Sequence, residues 1–593
     1  MDAARLPRTT AIALCVALIP TIVLAGAKPT DRLDGLTGVE KALADTVDPW
    51  GLPFGDQLTR FRGHFAASPK ATFAVGVTHD LVKVLPNKYW FRGEVFLPGA
   101  EGAMARERLA CAGETLSFQF AILSAPGHKG GAFTVSARCR VASGAEPKVT
   151  VFREVFLKTP VPPYPRFASD RWPDPLVACG EVAAKTIEPA VCWVDIAIPA
   201  DATAGKLVCE VEVASKGGEA RVAFAVPVRV VRGVSLDPKG YPLVAWFGRK
   251  SGPIVLSDEQ FEGMCKLVLA HHCQPMRVLA WDPKAPEKFD AMFELLRANG
   301  QRIHQVPRAP GANARPQTVE RYAALYKHLK AKGWLASCIA YSNADEPDTE
   351  TLRSRNVPFA EHVRKTYPGL RLFLASELHK GTERACDIVL TDLSSSKYDP
   401  RTYVLQAAPE LWHYYCHLPV RWQARAPLTQ APNMQMDNPA LQHRLAIWMS
   451  YRFGARGVFI WAGNREWDKM ATIWRDATVR VPRAYSFPYG GTHNGNGNLV
   501  YPPATKSGAV VPSIRLKVLR DGVEDVALLR ACKALLAGEG GAKLSADLRA
   551  NLAALIDPVP DVFHHPHYYD NLPDTLLARR DAILRVLAEA KLP

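Results

Sequence analysis

Leu335-Ala336-Ser337-Cys338-Ile339-Ala340-Tyr341-Ser342-Asn343-Ala344-Asp345-Glu346-Pro347 is the stretch on which the reading of this chain turns. The apolar run Leu335 to Ala340 reads as a buried strand, and it stops in two adjacent carboxylates and a proline. Pro347 has no backbone N–H and cannot extend a central strand. Its ring also directs Glu346 toward an extended backbone. Asp345 and Glu346 are therefore expected at a strand's C-terminal edge, the edge that carries the active site in parallel α/β barrels.

Working outward, short apolar strands alternate with helical segments from about residue 240 to residue 480. Strands are expected at Leu243–Phe247, Met276–Trp281, Arg302–Val306, Leu335–Ala340, Leu370–Ala375, Asp387–Asp392, Leu411–Cys416 and Gly457–Trp461. Amphipathic runs Asp258–Ala270, Glu287–Ala298, Thr318–Ala331, Thr349–Thr366 and Pro439–Phe453 lie between them. Strands alternating with helices in this number imply a (β/α)8 barrel, with the carboxylates after its fourth strand. Helices over Arg515–Leu536 and Asp574–Ala590, the second with Asp574 as N-cap, form a tail expected to pack on the barrel.

Residues 28 to 238 read differently. Segments such as Leu116–Leu123, Ala132–Cys139 and Leu207–Val213 alternate or run apolar between Gly, Pro and Lys-Gly turns, which suggests a β-sandwich. Pro160–Pro165 and Arg171–Pro175 read as a linker crossing between strands. The expected fold class is thus multidomain, α/β and β: an N-terminal β-sandwich over 28–238, then a (β/α)8 TIM-like barrel with a helical tail over 239–593.

Residues 1–27 read as a signal peptide. Arg5 and Arg8 precede a short apolar run, Ala11 to Leu24, and Ala25-Gly26-Ala27 supplies a small-x-small cleavage site. The expectation is a secreted or periplasmic protein with no stable membrane insertion, since no later segment is apolar for long enough to span a bilayer. Twelve cysteines without a C-x-x-C pair give no support for a zinc ribbon or redox motif. Cys111, Cys139, Cys179, Cys192 and Cys209 fall in the β-rich part, where export permits pairing. The net charge of +15 favours an anionic substrate or is simply solvated surface charge. Without a basic stripe or motif, nucleic acid is not an expected partner. His564-His565-Pro566-His567 reads as a packing loop, so neither a metal nor an organic cofactor is expected.

The carboxylate pair limits the chemistry. A retaining glycosidase with its own nucleophile holds two carboxyls about 5 Å apart across the sugar, and an inverting one holds them further apart. Neighbouring strand residues point to opposite faces, which suits neither arrangement. A substrate-assisted mechanism suits them better. Glu346 protonates the glycosidic oxygen, Asp345 orients a 2-acetamido group, and the acetamido oxygen attacks the anomeric carbon. Such an acid needs partial shielding from water. Trp412, Tyr414 and Trp461 are candidates for stacking on sugar C–H faces, and Tyr341 and Asn464 complete the substrate-binding set. Asp282, Glu377 and Asp392 also fall at strand ends and are the candidates for a conventional second carboxylate.

Five stretches carry a family resemblance. They are Asp345-Glu346-Pro347, Trp412 to Cys416, Gly454 to Trp461 with Asn464 and Trp467, Gly495 to Pro502, and Pro512 to Asp525. In these the chain resembles the glycoside hydrolase family 123 catalytic domain, also catalogued as a domain of unknown function. Trp193 to Gly205 looks like part of the β-sandwich preceding that barrel. Characterised members are β-N-acetylgalactosaminidases that use substrate assistance. The resemblance implies a retaining exo-acting enzyme on an oligosaccharide or polysaccharide, with Asp345 stabilising the acetamido group and Glu346 as acid/base. Two departures stand out: Gly495-Asn496-Gly497 where the family usually has Gly-Asp-Gly, and Pro503 where glycine is usual. The rival readings are a glycosidase of other specificity with two separated carboxylates, and a non-catalytic glycan-binding protein.

Overall fold

The computed structural model describes residues 54–85, 93–100, 102–141, 145–158, 171–185, 188–393, 410–416, 431–465, 467, 494–505, 507–557 and 559–590. Residues 1–27, expected to be a signal peptide, and the Pro160–Pro165 segment lie outside the described residues.

A helix, Phe54–Ala66, precedes two sheets, an element the all-β reading of this region did not anticipate. The first sheet runs Glu94–Phe96, Phe73–His79, Thr115–Ser124, Ala190–Ala197, Lys148–Lys158, Arg171–Ala178. The second is built on Arg221–Val231, Gly205–Ser215 and Gly130–Val141. Burial alternates along Gly205–Ser215, so one face is apolar and the other wet. Phe118, Phe120 and Ile122 of the first sheet share a core with Val211, Val213 and Val226 of the second. Arg171–Pro175 is strand, not linker. It ends the sheet, laddered to Lys148–Lys158 and otherwise joined only by a single bridge from Pro175 to Ser513 among the described residues, and an edge position tolerates the missing N–H groups of Pro173 and Pro175.

Eight parallel strands then form a barrel: β1 Leu243–Trp246, β2 Cys273–Met276, β3 His304–Gln305, β4 Cys338–Tyr341, β5 Arg371–Ala375, β6 Ile388–Asp392, β7 Glu410–Tyr415 and β8 Gly457–Ile460. Their order is β2-β1-β8-β7-β6-β5-β4-β3, so every neighbouring pair is laddered except β2 and β3. Side-chain amides close that seam. Gln274 Oε1 accepts from the N–H groups of Arg302 (2.8 Å) and Ile303 (3.0 Å). Gln301 Nε2 donates to the carbonyls of Pro275 (3.0 Å) and Ile303 (2.8 Å). Both glutamines are buried, where unpaired backbone groups would be costly. Val244, Met276, Ile339, Phe373, Leu390, Trp412 and Phe459 fill the interior.

The surrounding helices are α1 Asp258–Ala270, α2 Pro286–Ala298, α3 Pro316–Ala331, α4 Val357–Thr366 and α5 Ala440–Arg452. A capping box starts α1, with Ser257 and Gln260 satisfying each other's backbone N–H groups at 3.1 Å. The single helix expected over Thr349–Thr366 is broken: a π-helical turn, Leu352–Asn356, precedes α4. Pro358 lies just beyond and cannot donate into a regular α ladder.

The tail comprises α6 Ile514–Ala537, α7 Ala546–Ile556 and α8 Pro573–Ala590. Pro573 opens α8, which places Asp574 in the first turn instead of at the cap. These helices pack on more than the barrel. Arg580 of α8 bonds Asp525 of α6 (2.9 Å) and Glu114 beside the first sheet (2.5 Å). Arg444 of α5 grips Asp525 with two nitrogens (2.6 and 2.9 Å) and reaches Asp80 (3.0 Å). A buried ionic network therefore bolts barrel, tail and N-terminal sheets together. Much of the fifth family stretch, Pro512 to Asp525, is spent on that bolt.

Candidate active site at the barrel mouth

β4 ends at Tyr341, whose side chain points into the barrel and is 3% exposed. Its ring sits edge-on to Trp246 of β1 (5.7 Å) and Phe373 of β5 (4.9 Å). From this fixed position the phenol donates to Asp345 Oδ1. Burial, and then the neighbouring Asp345, push the Tyr341 phenol far above its ordinary pKa, so it remains a donor.

The loop carrying the acids is anchored below them. Ser342 is fully buried; its N–H donates to the Phe373 carbonyl (2.9 Å) and its hydroxyl to the Ala385 carbonyl (3.2 Å). Asn356, also buried, donates to Ser342 Oγ and to the Ala344 carbonyl, both at 3.3 Å. Beyond Pro347, Asp348 caps the next turn by accepting from the Thr351 N–H (2.7 Å). The chain is thus held on both sides of Asp345-Glu346.

Glu346 does not adopt the extended backbone expected before proline. Its φ is 44°, in the left-handed region that non-glycine residues rarely occupy. Both acids are exposed, and among the described residues Glu346 has no hydrogen-bond or ion-pair partner. The shielding that a general acid needs is therefore not supplied by the described side chains around it.

Of the other sequence candidates, Tyr414 is the last but one residue of β7. It is half-buried beside Phe459 (5.7 Å between ring centroids), and its phenol is pushed up by burial and, further down in weight, by Glu346, Tyr341 and Asp345. Trp461 is half-buried after β8. Trp412 is corrected. It is fully buried, and its indole N–H donates to Glu410, the first residue of β7, at 2.8 Å. Period-two spacing put it on the same face as Tyr414, but two residues closer to the closed end of the barrel. Asn464 is corrected as well. Its amide accepts from the Gly248 N–H (2.9 Å) and donates to the Gly248 carbonyl (2.6 Å), so it clamps a loop and has no amide edge to offer a sugar. Trp467 is fully buried, donating to the Val500 carbonyl at 3.1 Å. Asp282 folds back on its own turn, accepting from the Lys284 N–H (3.0 Å).

Gly495-Asn496-Gly497 shapes a turn. Gly495 (φ 74°) and Gly497 (φ 76°) occupy the conformation glycine favours. Arg515 holds the Gly495 carbonyl (2.7 Å), and the Arg465 N–H donates to the Gly497 carbonyl (2.9 Å). Asn496 is 1% exposed, so the position where the family usually has an acid lies inside the protein here. The exposed His565, at the end of a short hairpin strand, and the half-buried His567 have rings 5.5 Å apart; among the described residues no group of three or more His, Cys, Asp or Glu could hold a metal.

The residues that sequence reasoning missed are Trp246, which walls the site below Tyr341, and three arginines, Arg277, Arg308 and Arg465, which follow β2, β3 and β8. Trp246 was visible as an aromatic at the end of β1. The arginines carried no motif.

The chain is a glycoside hydrolase, and its carboxylate pair stands at the C-terminal mouth, the end that carries the active site in parallel α/β barrels. Residues 261–532 match the family model for the glycoside hydrolase 123 catalytic domain. A family 123 glycoside hydrolase from Clostridium perfringens, solved to describe glycolipid glycan hydrolysis, shares the fold. Its TM-score is 0.61 at 13% identity, over 88% of this chain and 98% of its own. β-Glucuronidase 3 of Bacteroides uniformis has a TM-score of 0.29 at 10% identity, over 69% of this chain and 50% of its own. A Parabacteroides merdae β-glucuronidase has 0.27 at 9%, over 69% and 52%. No curated protein sequence matches the chain.

Proposed function

We propose that the enzyme is a retaining exo-β-N-acetylhexosaminidase that removes terminal β-linked N-acetylgalactosamine with the help of the substrate's own acetamido group. One observation carries the reading. Asp345 is aimed by the Tyr341 phenol, while its neighbour Glu346 is left unpaired at the barrel mouth. Two adjacent acids with such different surroundings suit two different tasks.

In the first step Glu346 gives its proton to the glycosidic oxygen. The acetamido carbonyl oxygen bonds to the anomeric carbon as the C–O bond to the leaving group breaks. Asp345 accepts a hydrogen bond from the acetamido N–H, holding that group under the anomeric carbon and stabilising the positive charge of the resulting oxazolinium. In the second step Glu346, now a carboxylate, takes a proton from water, and the water oxygen opens the oxazolinium ring with overall retention. The bound sugar covers Glu346 and provides the shielding the free site lacks. Tyr414 and Trp461 flank the sugar.

The surrounding architecture is read in the same way. Residues 28–238 form a β-sandwich, supported by the core its two sheets share, and 239–593 form the catalytic barrel and tail. Residues 1–27 direct export, which fits a substrate met outside the cytoplasm; a glycolipid glycan capped by β-GalNAc is one such substrate.

The test is leaving-group dependence. Glu346→Gln should lower kcat/KM by about 100-fold or more on a β-GalNAc glycoside with a poor leaving group. It should do far less on one with a good leaving group, which needs no proton. Equal effects on both would remove Glu346 from the acid role.

A further inference from the structure

Three arginines stand around the acids on a rim otherwise built from aromatics. Arg277 lies directly over the Trp246 ring, 3.5 Å from its centroid. Arg308 is 5.4 Å from the centroid of Tyr341, and Arg465 is 5.2 Å from that of Trp461. Trp246 and Tyr341 are themselves 5.7 Å apart, and Arg277 and Arg308 follow β2 and β3, the strands on either side of the unladdered seam. All three residues are exposed overall, with the Arg277 guanidinium half-buried against Trp246, and among the described residues none has a carboxylate within ion-pair distance.

Other exposed arginines, Arg315 and Arg353 among them, also lack a carboxylate partner among the described residues, so what sets the rim three apart is the aromatic ring beside each. Arg302 pairs with Asp237 (2.7 Å), Arg249 with Asp258 (2.5 Å), Arg297 with Glu294 (2.8 Å) and Arg138 with Glu210 (2.9 Å). The rim arginines are instead each placed on an aromatic ring. Stacking fixes the guanidinium plane and leaves its in-plane N–H donors free for a planar or tetrahedral anion.

Like charges gathered in one place repel. Burial holds the Arg277 guanidinium below its ordinary pKa, with Arg465 and Arg308 adding to the effect and Asp345 and Tyr341 opposing it. Arg277 also keeps a φ of 63°, a left-handed backbone that non-glycine residues rarely adopt. A neutral sugar gives no reason to assemble three cations at this cost. An anionic one does, because its charge replaces the missing carboxylates.

We propose that Arg277, Arg308 and Arg465 form an anion subsite at the barrel mouth, and that the natural substrate is an acidic glycan carrying a sulfate ester or uronate carboxylate on or next to the sugar held by Asp345. This deepens the proposed hexosaminidase reading and rests on it for the identity of that sugar. The chain's net charge of +15 fits an acidic polymer but does not carry the argument.

Binding and turnover test the two readings separately. Calorimetry on the full chain would compare the methyl β-glycoside of N-acetylgalactosamine, its 6-sulfate, and a disaccharide in which the same sugar is linked to glucuronate. At low salt an anionic ligand should bind about 10-fold or more tightly than the neutral one. The gap should shrink at about 0.5 M salt, where exposed charges are screened. Arg277→Gln, Arg308→Gln and Arg465→Gln should each narrow it. Which anion gains more identifies the source of the charge. Equal affinity for all three ligands, or a gap indifferent to every arginine substitution, overturns the subsite. Hydrolysis of the neutral aryl glycoside, run in parallel, reports on the hexosaminidase reading alone.

Discussion

The phenol of Tyr341, the last residue of β4, donates its hydrogen to Oδ1 of Asp345, four residues further along the chain. The rigid barrel interior thereby reaches out to one of the two exposed acids and sets its direction. Tyr341→Phe keeps the ring packed between Trp246 and Phe373 and deletes only the donor. A hydrogen bond to a charged group is worth about 1.5–3 kcal/mol. Steady-state kinetics on a β-GalNAc substrate should show kcat/KM falling about 10- to 100-fold with the melting temperature little changed. Unaltered kinetics would mean that Asp345 needs no aiming.

The turn at Gly495 is held by Arg515, which is completely buried and also binds Asp174 of the first sheet at 2.8 Å. Removing one partner of a buried ion pair strands the other, which costs about 3–5 kcal/mol. Asp174→Ala should lower stability by that amount in denaturant unfolding. It should also raise protease sensitivity near Gly495. A change below about 1 kcal/mol would show that the guanidinium is satisfied by its carbonyl partners and Tyr501 alone.

Glu154 is buried, and among the described residues neither of its carboxylate oxygens has a hydrogen-bond partner. Burial pushes its pKa up from 4.5 to about 8, with Lys83 opposing and Asp174 adding. The folded state therefore binds a proton that the unfolded state has released between these two values. The associated stability is fully present below pH 4.5 and is lost as pH rises through about 8. Glu154→Gln should flatten this decline, which chemical denaturation at a series of pH values would reveal. A steeper decline in the variant would reverse the assignment.

Cys139 and Cys209 face each other on adjacent antiparallel strands, and both are buried. Directly opposed strand residues have Cα separations of about 4.5–5.5 Å, within the range a disulfide spans. If the chain is exported, non-reducing peptide mapping of protein from its native compartment should recover a Cys139–Cys209 cross-linked peptide. Full alkylation of both thiols without reductant would speak against oxidation at this pair.

The sequence was most legible where period and punctuation agree. α1 has the limits its amphipathic run predicts, Asp258 to Ala270, and the structure adds the capping box of Ser257 and Gln260 that fixes its start. β2 was displaced: the apolar run Met276 to Trp281 looked like a strand, whereas the strand is Cys273–Met276 and Trp281 packs against Phe289 at 5.4 Å. Apolar content alone cannot tell a strand from the loop that follows it. In the site, Asp345 and Glu346 stood out by position. The burial of Trp412 and the partner of Asn464 depended on depth along the barrel and on a backbone group more than two hundred residues away, neither of which a local pattern encodes. The rim arginines come from three separate strand ends and meet only in the closed barrel.

The central claim is hydrolysis assisted by the acetamido group, and paired aryl β-glycosides of GalNAc and Gal test it most directly, each with and without a thiazoline inhibitor that mimics the oxazolinium. The account predicts aryl alcohol release from the GalNAc glycoside alone, blocked by the thiazoline. Release from the Gal glycoside at a comparable rate, or indifference to the thiazoline, would contradict it.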